Sequence, residues 1–380
     1  MNALPIARIL GFEVRVHVSW ALVLALIVVS VVTQVDGLAP GVTGVGAWVV
    51  GAVVAASFLV SALAHELGHA VAARRAGVPG GPVVVFVFGG AAGPDLLTRR
   101  PRDEASVALA GPLVSLVAGI ALAGTFAVIL ALGDGAPSVV MIVGRIAVII
   151  GALNLLLGLV NLLPAYPLDG GRLVRAAVWS RTGDPTEGLR AAAVSGRWLG
   201  RLAGVAGFAL ILLVDAIDGL FVAIAGWFLI TVARAVERSA TVDDLLDGAT
   251  VDDVMERDVT GVPAALTLDT FADQVLDRGT SGVLPVMRDD VVIGLLGADR
   301  IRRIRRDRWP TTRAGDVVDE ERAMPTVAPD TPLRTVLDLL QEHATDGLAV
   351  HDGGRFAGIV TRRAVVALVR QRAQERGIVP

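Results

Sequence analysis

The sequence contains no cysteine and no lysine, and only 4% of its 380 residues are aromatic. The lack of cysteine excludes disulfide bonds and thiolate metal sites. The basic residues are all arginine, and the formal net charge is −3, so no nucleic-acid partner is expected. Long apolar runs are nearly confined to residues 1–236, whereas residues 237–380 have the composition of a soluble protein.

The first two thirds of the chain are rich in long apolar segments. A membrane helix needs about 20 mostly apolar residues. The apolar stretch that starts near Val18 has no small-residue cleavage site behind it, so it is predicted to be a span and not a signal peptide. Six spans are predicted, at Val18–Val35, Gly46–Ala73, Ser106–Leu132, Ser138–Leu163, Trp198–Val214 and Gly219–Val236. The fold class is therefore a polytopic α-helical protein of the lipid bilayer.

Arginines flank the predicted spans mainly on one side. They precede the first span, follow the second, the fourth and the sixth, and are absent from the other three connections. The positive-inside rule then predicts a multi-pass protein of the cell membrane with both termini and the C-terminal region in the cytoplasm. The roles of His17, at the edge of the first span, and Arg145, inside the fourth, stay open.

The sequence predicts β-structure in two regions, one between the second and third spans and one in the C-terminal region. The run Val83–Phe88 is β-branched and aromatic, and glycine and proline flank it, which is typical of a strand. Between membrane helices such a strand is a small re-entrant element, buried in protein or lining a cavity.

The C-terminal region contains an internal repeat, with one copy at Val251–Ile304 and another at Ala314–Val369. Each copy reads as β-α-β-β-α. We therefore predict a membrane domain over residues 1–238 and two small soluble α/β domains over 247–306 and 314–372.

The strongest chemical signal lies inside the second predicted span, where His65, Glu66 and His69 fall within five residues. On a helix, residues four apart are separated by a rise of about 6 Å and a rotation of about 40°, so both imidazoles point to one side. They can share one zinc ion, and the intervening glutamate can act as the general base toward a water molecule. Polar side chains within an apolar span are costly unless they are functional.

A catalytic zinc site usually has three protein ligands and one open position. Asp169 is predicted to be the third ligand. It follows the fourth span, where Pro164, Pro167 and the pair Gly170 and Gly171 break the helix and can turn the carboxylate inward. By the arginine pattern, this break lies on the same side of the membrane as the end of the second span.

These motifs, in this order and separation, resemble the site-2 protease family of intramembrane metalloproteases, also called peptidase family M50. The matching elements are the two metal-binding motifs, Gly89 and Gly90, and the segment from Ala110 to Leu113. The resemblance implies one Zn²⁺ per chain, bound by His65, His69 and Asp169, with Glu66 catalytic. It also implies that Asn161 lies near the metal and helps to position the substrate or stabilise an oxyanion. The implied partners are transmembrane protein substrates, anti-sigma-factor-like proteins among them.

The two C-terminal copies resemble CBS domains, which pair and bind adenine nucleotides in many proteins. Nucleotide-binding copies often end in Gly-x-x-Thr-x-x-Asp. The second copy has Gly358 and Thr361 but alanine at position 364, and the first has Asp299 one place early and no threonine. Two interpretations therefore stay open: a pair that binds an adenine nucleotide, and a structural pair that mediates a homodimer.

Two other functions are compatible with a membrane domain followed by a CBS pair. One is a CBS-regulated transporter, but a transport site does not need a general base between two imidazoles. The other is a catalytically inactive scaffold that binds membrane partners, and the complete ligand set argues against it. A zinc metalloendopeptidase that cuts in or near membrane segments, regulated by its CBS pair, is the function that the sequence predicts.

Overall fold

The computed structural model describes residues 3–78, 81–85, 98–131, 138–257, 259–277, 283–289, 291–318, 326–343 and 345–377. The chain divides into two compact units, Met1–Ala240 and Thr241–Pro380. The first is mainly helical, and the second contains two small mixed sheets.

Helices dominate the first unit. They are α1 (Trp20–Thr33), α2 (Val35–Leu38), α3 (Val45–Arg75), α4 (Pro101–Ala131), α5 (Ser138–Asn161), α6 (Asp169–Thr182), α7 (Pro185–Leu213) and α8 (Ala216–Leu246). Among the described residues, five of them are long and apolar enough to cross a membrane, namely α3, α4, α5, α7 and α8. The prediction of a polytopic helical membrane protein is confirmed.

The first predicted span differs from the observed helix. Helix α1 has 14 residues, which gives a length of about 21 Å against a hydrocarbon core of about 30 Å. Helices α7 and α8, in contrast, are longer than the predicted spans. Helix α7 begins at Pro185, well before the predicted start at Trp198, and α8 continues past Val236 to Leu246.

The outer faces of the long helices are apolar and exposed. On α4, for example, Leu113, Val117 and Ile120 have more than half of their surface exposed and recur every three or four residues. In water such a stripe would be unfavourable, but it suits contact with lipid tails. The inner faces are packed through small residues: a Cβ added at Gly119 on α4 would lie 2.9 Å from the carbonyl oxygen of Gly151 on α5. Close approach of backbones through glycine is the usual way that membrane helices pack.

The first unit also contains a three-stranded sheet, in which two strands come from the chain before α1 and the third from the chain after α3. Its strands are β1 (Ala3–Ile9), β2 (Phe12–His17) and β3 (Val83–Val85), in the order β1-β2-β3. Strands β1 and β2 are antiparallel, and β2 and β3 are parallel. The predicted strand is thus confirmed over its first three residues, while positions 86–88 lie outside the described residues. The hairpin of β1 and β2 was not predicted from the sequence.

Arg145 reaches out of α5 toward α2. Its Nη1 donates to the carbonyl oxygens of Gly37 and Leu38 at 3.4 and 3.5 Å. A cation near the last carbonyls of a helix is favourable, because those carbonyl groups carry partial negative charge. Arg145 therefore has a structural partner within the bundle.

The second unit consists of two copies of one motif. The first copy contains β4 (Val262–Pro263), α9 (Leu268–Asp277), β5 (Val283–Arg288), β6 (Val291–Gly297) and α10 (Ala298–Arg302). After the short helix α11 (Ala314–Val317), the second contains β7 (Thr326–Val327), α12 (Leu333–Glu342), β8 (Gly347–Asp352), β9 (Arg355–Thr361) and α13 (Arg362–Glu375). In each copy a parallel strand pair is followed by an antiparallel pair with an irregularity at the corresponding place. The predicted repeat of β-α-β-β-α units is confirmed.

Candidate metal centre

Helix α3 holds His65 and His69 one turn apart, and both side chains are buried. Their ring centroids are 4.9 Å apart, and the two Nε2 atoms are 3.2 Å apart. The spacing of four residues therefore turns both Nε2 atoms toward one point inside the bundle, as the sequence predicted.

Asp169, the first residue of α6, completes this cluster. Its Oδ2 lies 3.2 Å from Nε2 of His65 and 3.1 Å from Nε2 of His69. Zinc binds imidazole nitrogen and carboxylate oxygen at about 2.0–2.2 Å, so tetrahedral ligands lie about 3.3 Å apart. The observed spacings fit one such ion, with two neutral imidazoles and one carboxylate as ligands. Among the described residues, this is the group of histidine and acidic side chains that could hold a metal ion.

The break between α5 and α6 brings Asp169 inward. Pro164 and Pro167 interrupt the helical path, and the Tyr166–Pro167 peptide bond is cis. A Cβ added at Gly170 would overlap with the carbonyl oxygen of Leu163. The double glycine is therefore required for α6 to start directly against the preceding loop, and this start places the carboxylate beside α3.

Burial raises the pKa of Asp169, but hydrogen bonds from His65 and His69 to its carboxylate outweigh this effect and lower that pKa to about 2. An ionised carboxylate is the form that binds a divalent cation.

Helix α4 orients both imidazoles from behind. Nδ1 of His69 donates to the carbonyl oxygen of Val107 at 2.7 Å, and Nδ1 of His65 lies 2.9 Å from the hydroxyl oxygen of Ser115. A carbonyl can only accept, so Nδ1 of His69 carries a proton, and Nε2 is the nitrogen that faces the metal position. Such outer contacts fix the tautomer and the ring orientation of metal-binding histidines. Neither Val107 nor Ser115 was predicted from the sequence.

A stripe of residues on α4 faces the metal cluster, with Val107, Gly111 and Ser115 at intervals of four. At that interval the side-chain direction rotates by only about 40° per step. This interval of four equals the interval between the two histidines on α3. It is the sequence signal that could have identified Val107 and Ser115. Gly111 lies in the middle, and a Cβ added there would overlap with Nε2 of His69.

The cluster of three metal-binding groups is formed by His65, His69 and Asp169, and the structure places the other predicted site residues as follows. Glu66 follows His65 on α3 and is half-buried. Asn161, at the end of α5, donates from Nδ2 to the carbonyl oxygen of Leu157 at 2.9 Å. His17 makes a local contact with Ser19 at 2.9 Å. The catalytic roles of Glu66 and Asn161 stay predictions, and Gly89 and Gly90 lie outside the described residues.

The packing at Gly111 yields a first prediction. Gly111→Ala should weaken metal binding by about 10- to 100-fold, as is typical when an outer contact of a metal ligand is disturbed. The added methyl group would occupy the space in front of Nε2 of His69. Elemental analysis after dialysis against a chelator measures this loss. The matched control is Gly124→Ala on the same helix, where an added Cβ has no atom within 4 Å. Equal metal content in both variants would contradict the prediction.

Comparison with known proteins agrees with this geometry. The profile of peptidase family M50 matches residues 53–199, and the CBS domain profile matches residues 314–371. A putative zinc metalloprotease of Mycobacterium tuberculosis, Rip3, is 35% identical over 97% of this chain and 93% of its own length. The putative zinc metalloprotease sll0528 of Synechocystis is 28% identical over 98% and 97% of the two chains. The zinc metalloprotease MJ0392 of Methanocaldococcus jannaschii is 24% identical, over 94% of each chain.

The matched M50 region contains all three residues of the metal cluster, His65, His69 and Asp169. The similarity to Rip3 extends over nearly the whole of both chains. This multi-pass helical protein with a CBS domain belongs to peptidase family M50.

Proposed function

We propose that the protein is an intramembrane zinc metalloprotease that hydrolyses peptide bonds in or beside the membrane segments of other proteins. The observation that carries this proposal is the convergence of His65, His69 and Asp169 at 3.1–3.2 Å, buried among helices long enough to span a membrane. The names of the three relatives support zinc as the ion. A buried polar cluster inside such a bundle is costly, which favours a functional reason for it.

The three ligands leave one position of a four-coordinate ion open for water or substrate. Zinc, when bound, polarises the scissile carbonyl group and makes a nearby water molecule more acidic. Glu66, next to His65 on α3, is proposed to accept the proton of the attacking water and to deliver it to the leaving amine. This role requires an ionised carboxylate beside the cluster without a bond to the metal.

Asn161 is proposed to donate its side-chain amide to the oxygen of the scissile carbonyl, where negative charge develops. In the structure this amide group is engaged with the carbonyl oxygen of Leu157, one turn earlier in its own helix. The amide must leave that acceptor, or share itself between two acceptors, when substrate is bound. A half-buried side chain at a helix end has the freedom for such a change.

Strand β3 offers a way to hold an extended substrate. It pairs with β2 along one edge. Among the described residues no strand pairs with its other edge. A peptide can add to a free strand edge through main-chain hydrogen bonds, which demand little of its side chains. We therefore propose that substrates are membrane segments that unwind easily near the cut, with anti-sigma-factor-like proteins among the candidates.

The catalytic proposal gives a second prediction. Purified wild-type protein should bind one zinc per chain. Glu66→Gln should keep this zinc, while cleavage falls by about 10²-fold or more, because a general base contributes a factor of this size. Asp169→Ala and His65→Ala should lose most of the zinc. Elemental analysis and a cleavage assay in lipid decide between these effects.

Glu187→Gln serves as the control, since Glu187 is an exposed acidic residue in the first turn of α7. Full zinc content in Asp169→Ala would remove Asp169 from the ligand set. Wild-type cleavage by Glu66→Gln would contradict its role as the base. Membrane proteins that accumulate uncut in cells with Glu66→Gln are the substrates that a proteomic comparison should identify.

The arginine pattern supports a proposed orientation, with both termini and the second unit in the cytoplasm, which requires the shorter apolar helix α1 to cross the membrane as well as the five long helices. Arg74 and Arg75 end α3, and Arg181 and Arg190 lie near the α6–α7 connection. The connection between α7 and α8 contains no arginine. Basic residues near span ends favour the cytoplasmic side.

A third prediction tests this orientation. Single cysteines at Glu187 and Asp218 provide a matched pair, because both residues are exposed and acidic and lie in the first turns of α7 and α8. An impermeant thiol reagent applied to intact cells should label Asp218→Cys and leave Glu187→Cys unlabelled. The chain has no other cysteine to react. The reverse labelling pattern would invert the topology and the side on which cleavage occurs.

We further propose that the CBS pair, with predicted domain limits of 247–306 and 314–372, regulates cleavage. The boundary between the two units falls within α8. The last turn of α8 belongs to the core of the second unit: Leu246 packs in a cluster with Leu333 and Val365. Arg372 on α13 donates to the carbonyl oxygen of Leu245. Ligand binding or dimerisation that repacks this core would act on the end of a membrane helix.

The fourth prediction follows from that arrangement. Truncation after Arg238 should change the cleavage rate at least several-fold and leave zinc content at the wild-type level. The measurement compares full-length and truncated protein in the same lipid, each with and without an adenine nucleotide. Equal rates under all four conditions would show that the second unit does not regulate the protease.

A further inference from the structure

Glu104 is a fully buried acidic residue in the first turn of α4, and it is not part of the metal cluster. Its Oε1 accepts a hydrogen bond from Nε of Arg172 at 3.0 Å and lies 3.6 Å from Nη1 of Arg175. Its Oε2 accepts from the hydroxyl group of Thr98 at 2.5 Å. Both arginines lie on α6, so this ion pair joins α6 to α4.

The ion pair lies close in sequence to the metal site on both of its helices. On α6, Arg172 comes three residues after the ligand Asp169. On α4, Glu104 comes three residues before Val107, whose carbonyl oxygen orients His69. Three residues are slightly less than one helical turn. The pair therefore fixes α6 against α4, the helix that orients the two histidines. It does so within one turn of Asp169 on α6 and of Val107 on α4.

Stability alone is a poor reason for this network. Burying an ion pair carries a desolvation penalty that its attraction often fails to offset, and apolar replacements are frequently as stable. The network is also incompletely paired. Nη2 of Arg172 and Nε of Arg175 are buried and have no hydrogen-bond partner among the described residues. A directional contact that specifies one register between two helices explains the arrangement better than a gain in packing energy.

The position of Asp169 depends on such a contact more than the positions of the two histidines do. His65 and His69 are held on one rigid helix, whereas Asp169 starts a separate helix after a loop that contains two prolines. The residue before it, Leu168, makes no side-chain cap to α6. Metal ligands must be held to within about 0.5 Å of their working positions. The position of Asp169 is thus set by what holds α6, and the buried pair of Arg172 with Glu104 holds α6 less than one turn after Asp169.

We propose that Glu104 and Arg172 are positioning residues that hold Asp169 at metal-binding distance by locking the register of α6 on α4. This inference rests on the proposed zinc site. It adds that a residue outside the matched histidine and aspartate motifs determines how tightly the third ligand engages the metal.

The fifth prediction concerns zinc affinity, measured on full-length protein in lipid nanodiscs by competition with a chelating dye. Glu104→Gln should bind zinc about 10- to 100-fold more weakly than wild type, the range typical for loss of an outer-shell partner. Arg172→Met should lose a similar factor. Arg172→Lys, which keeps the charge and part of the reach, should recover a measurable share of the affinity.

Two controls separate positioning from general destabilisation. Asp103→Asn removes a negative charge from the adjacent position of α4 and should leave zinc affinity unchanged. Glu237→Gln removes the ion pair between Arg197 on α7 and Glu237 on α8. It serves as a second control because it should lower the thermal unfolding temperature without a loss of zinc affinity. A parallel loss of affinity in Glu237→Gln would make the effect of Glu104 a consequence of bundle stability, which would overturn the proposal.

A double-mutant comparison identifies the ligand through which Glu104 acts. In an Asp169→Asn background, Glu104→Gln should reduce the remaining zinc affinity by less than twofold, because the ligand that it positions is already lost. The same fold-loss in both backgrounds would show that Glu104 acts elsewhere, and the inference would be wrong. If the wild-type protein itself binds no zinc, the proposed function fails. If the wild type binds zinc and Glu104→Gln matches it, only this inference fails.

Discussion

The closeness of α3 and α4 at one glycine is the constraint on which the rest of the structure depends. Gly111 lies against the imidazole of His69, with no room for even one carbon atom between them. This contact brings the carbonyl group of Val107 and the hydroxyl group of Ser115 within hydrogen-bonding distance of the two rings. The metal cluster is therefore a product of helix packing as much as of the histidine motif. Two helices separated by one more methyl group would present the same histidines without their supporting contacts.

Much of the cluster could be predicted from the sequence because its elements are local. The interval between His65 and His69 corresponds to about one helical turn. Any helix over these residues therefore turns both rings to one side, whatever its tertiary contacts are. Asp169 was identifiable because proline and glycine break a long apolar run directly before it. The long apolar segments likewise predicted the membrane helices, since their length and composition depend on the bilayer and not on neighbouring helices.

The elements that were missed depend on contacts between distant segments. Ser115 is one of many serines in apolar helices, and only the packing of α4 on α3 brings it to His65. Glu104 reads as an ordinary acidic residue at a helix start, although its partners come from α6. The hairpin of β1 and β2 was missed because strands of six or seven residues give weak signals beside long apolar helices. Helix α8 extends ten residues beyond the predicted span, since its polar end packs in the second unit, where hydropathy gives no information.

The donor set has a consequence for chemical durability. The cluster uses two imidazole nitrogens and one carboxylate oxygen, and the chain has no cysteine anywhere. Thiolate ligands are lost when peroxide converts them to sulfenic or sulfinic acids, whereas imidazole and carboxylate groups do not enter that series of reactions. A zinc ion held by this set would stay bound in the presence of an oxidant that damages thiolate-based zinc proteins. Oxidative stress at the membrane would then leave this enzyme able to act at the moment when thiol-dependent enzymes fail.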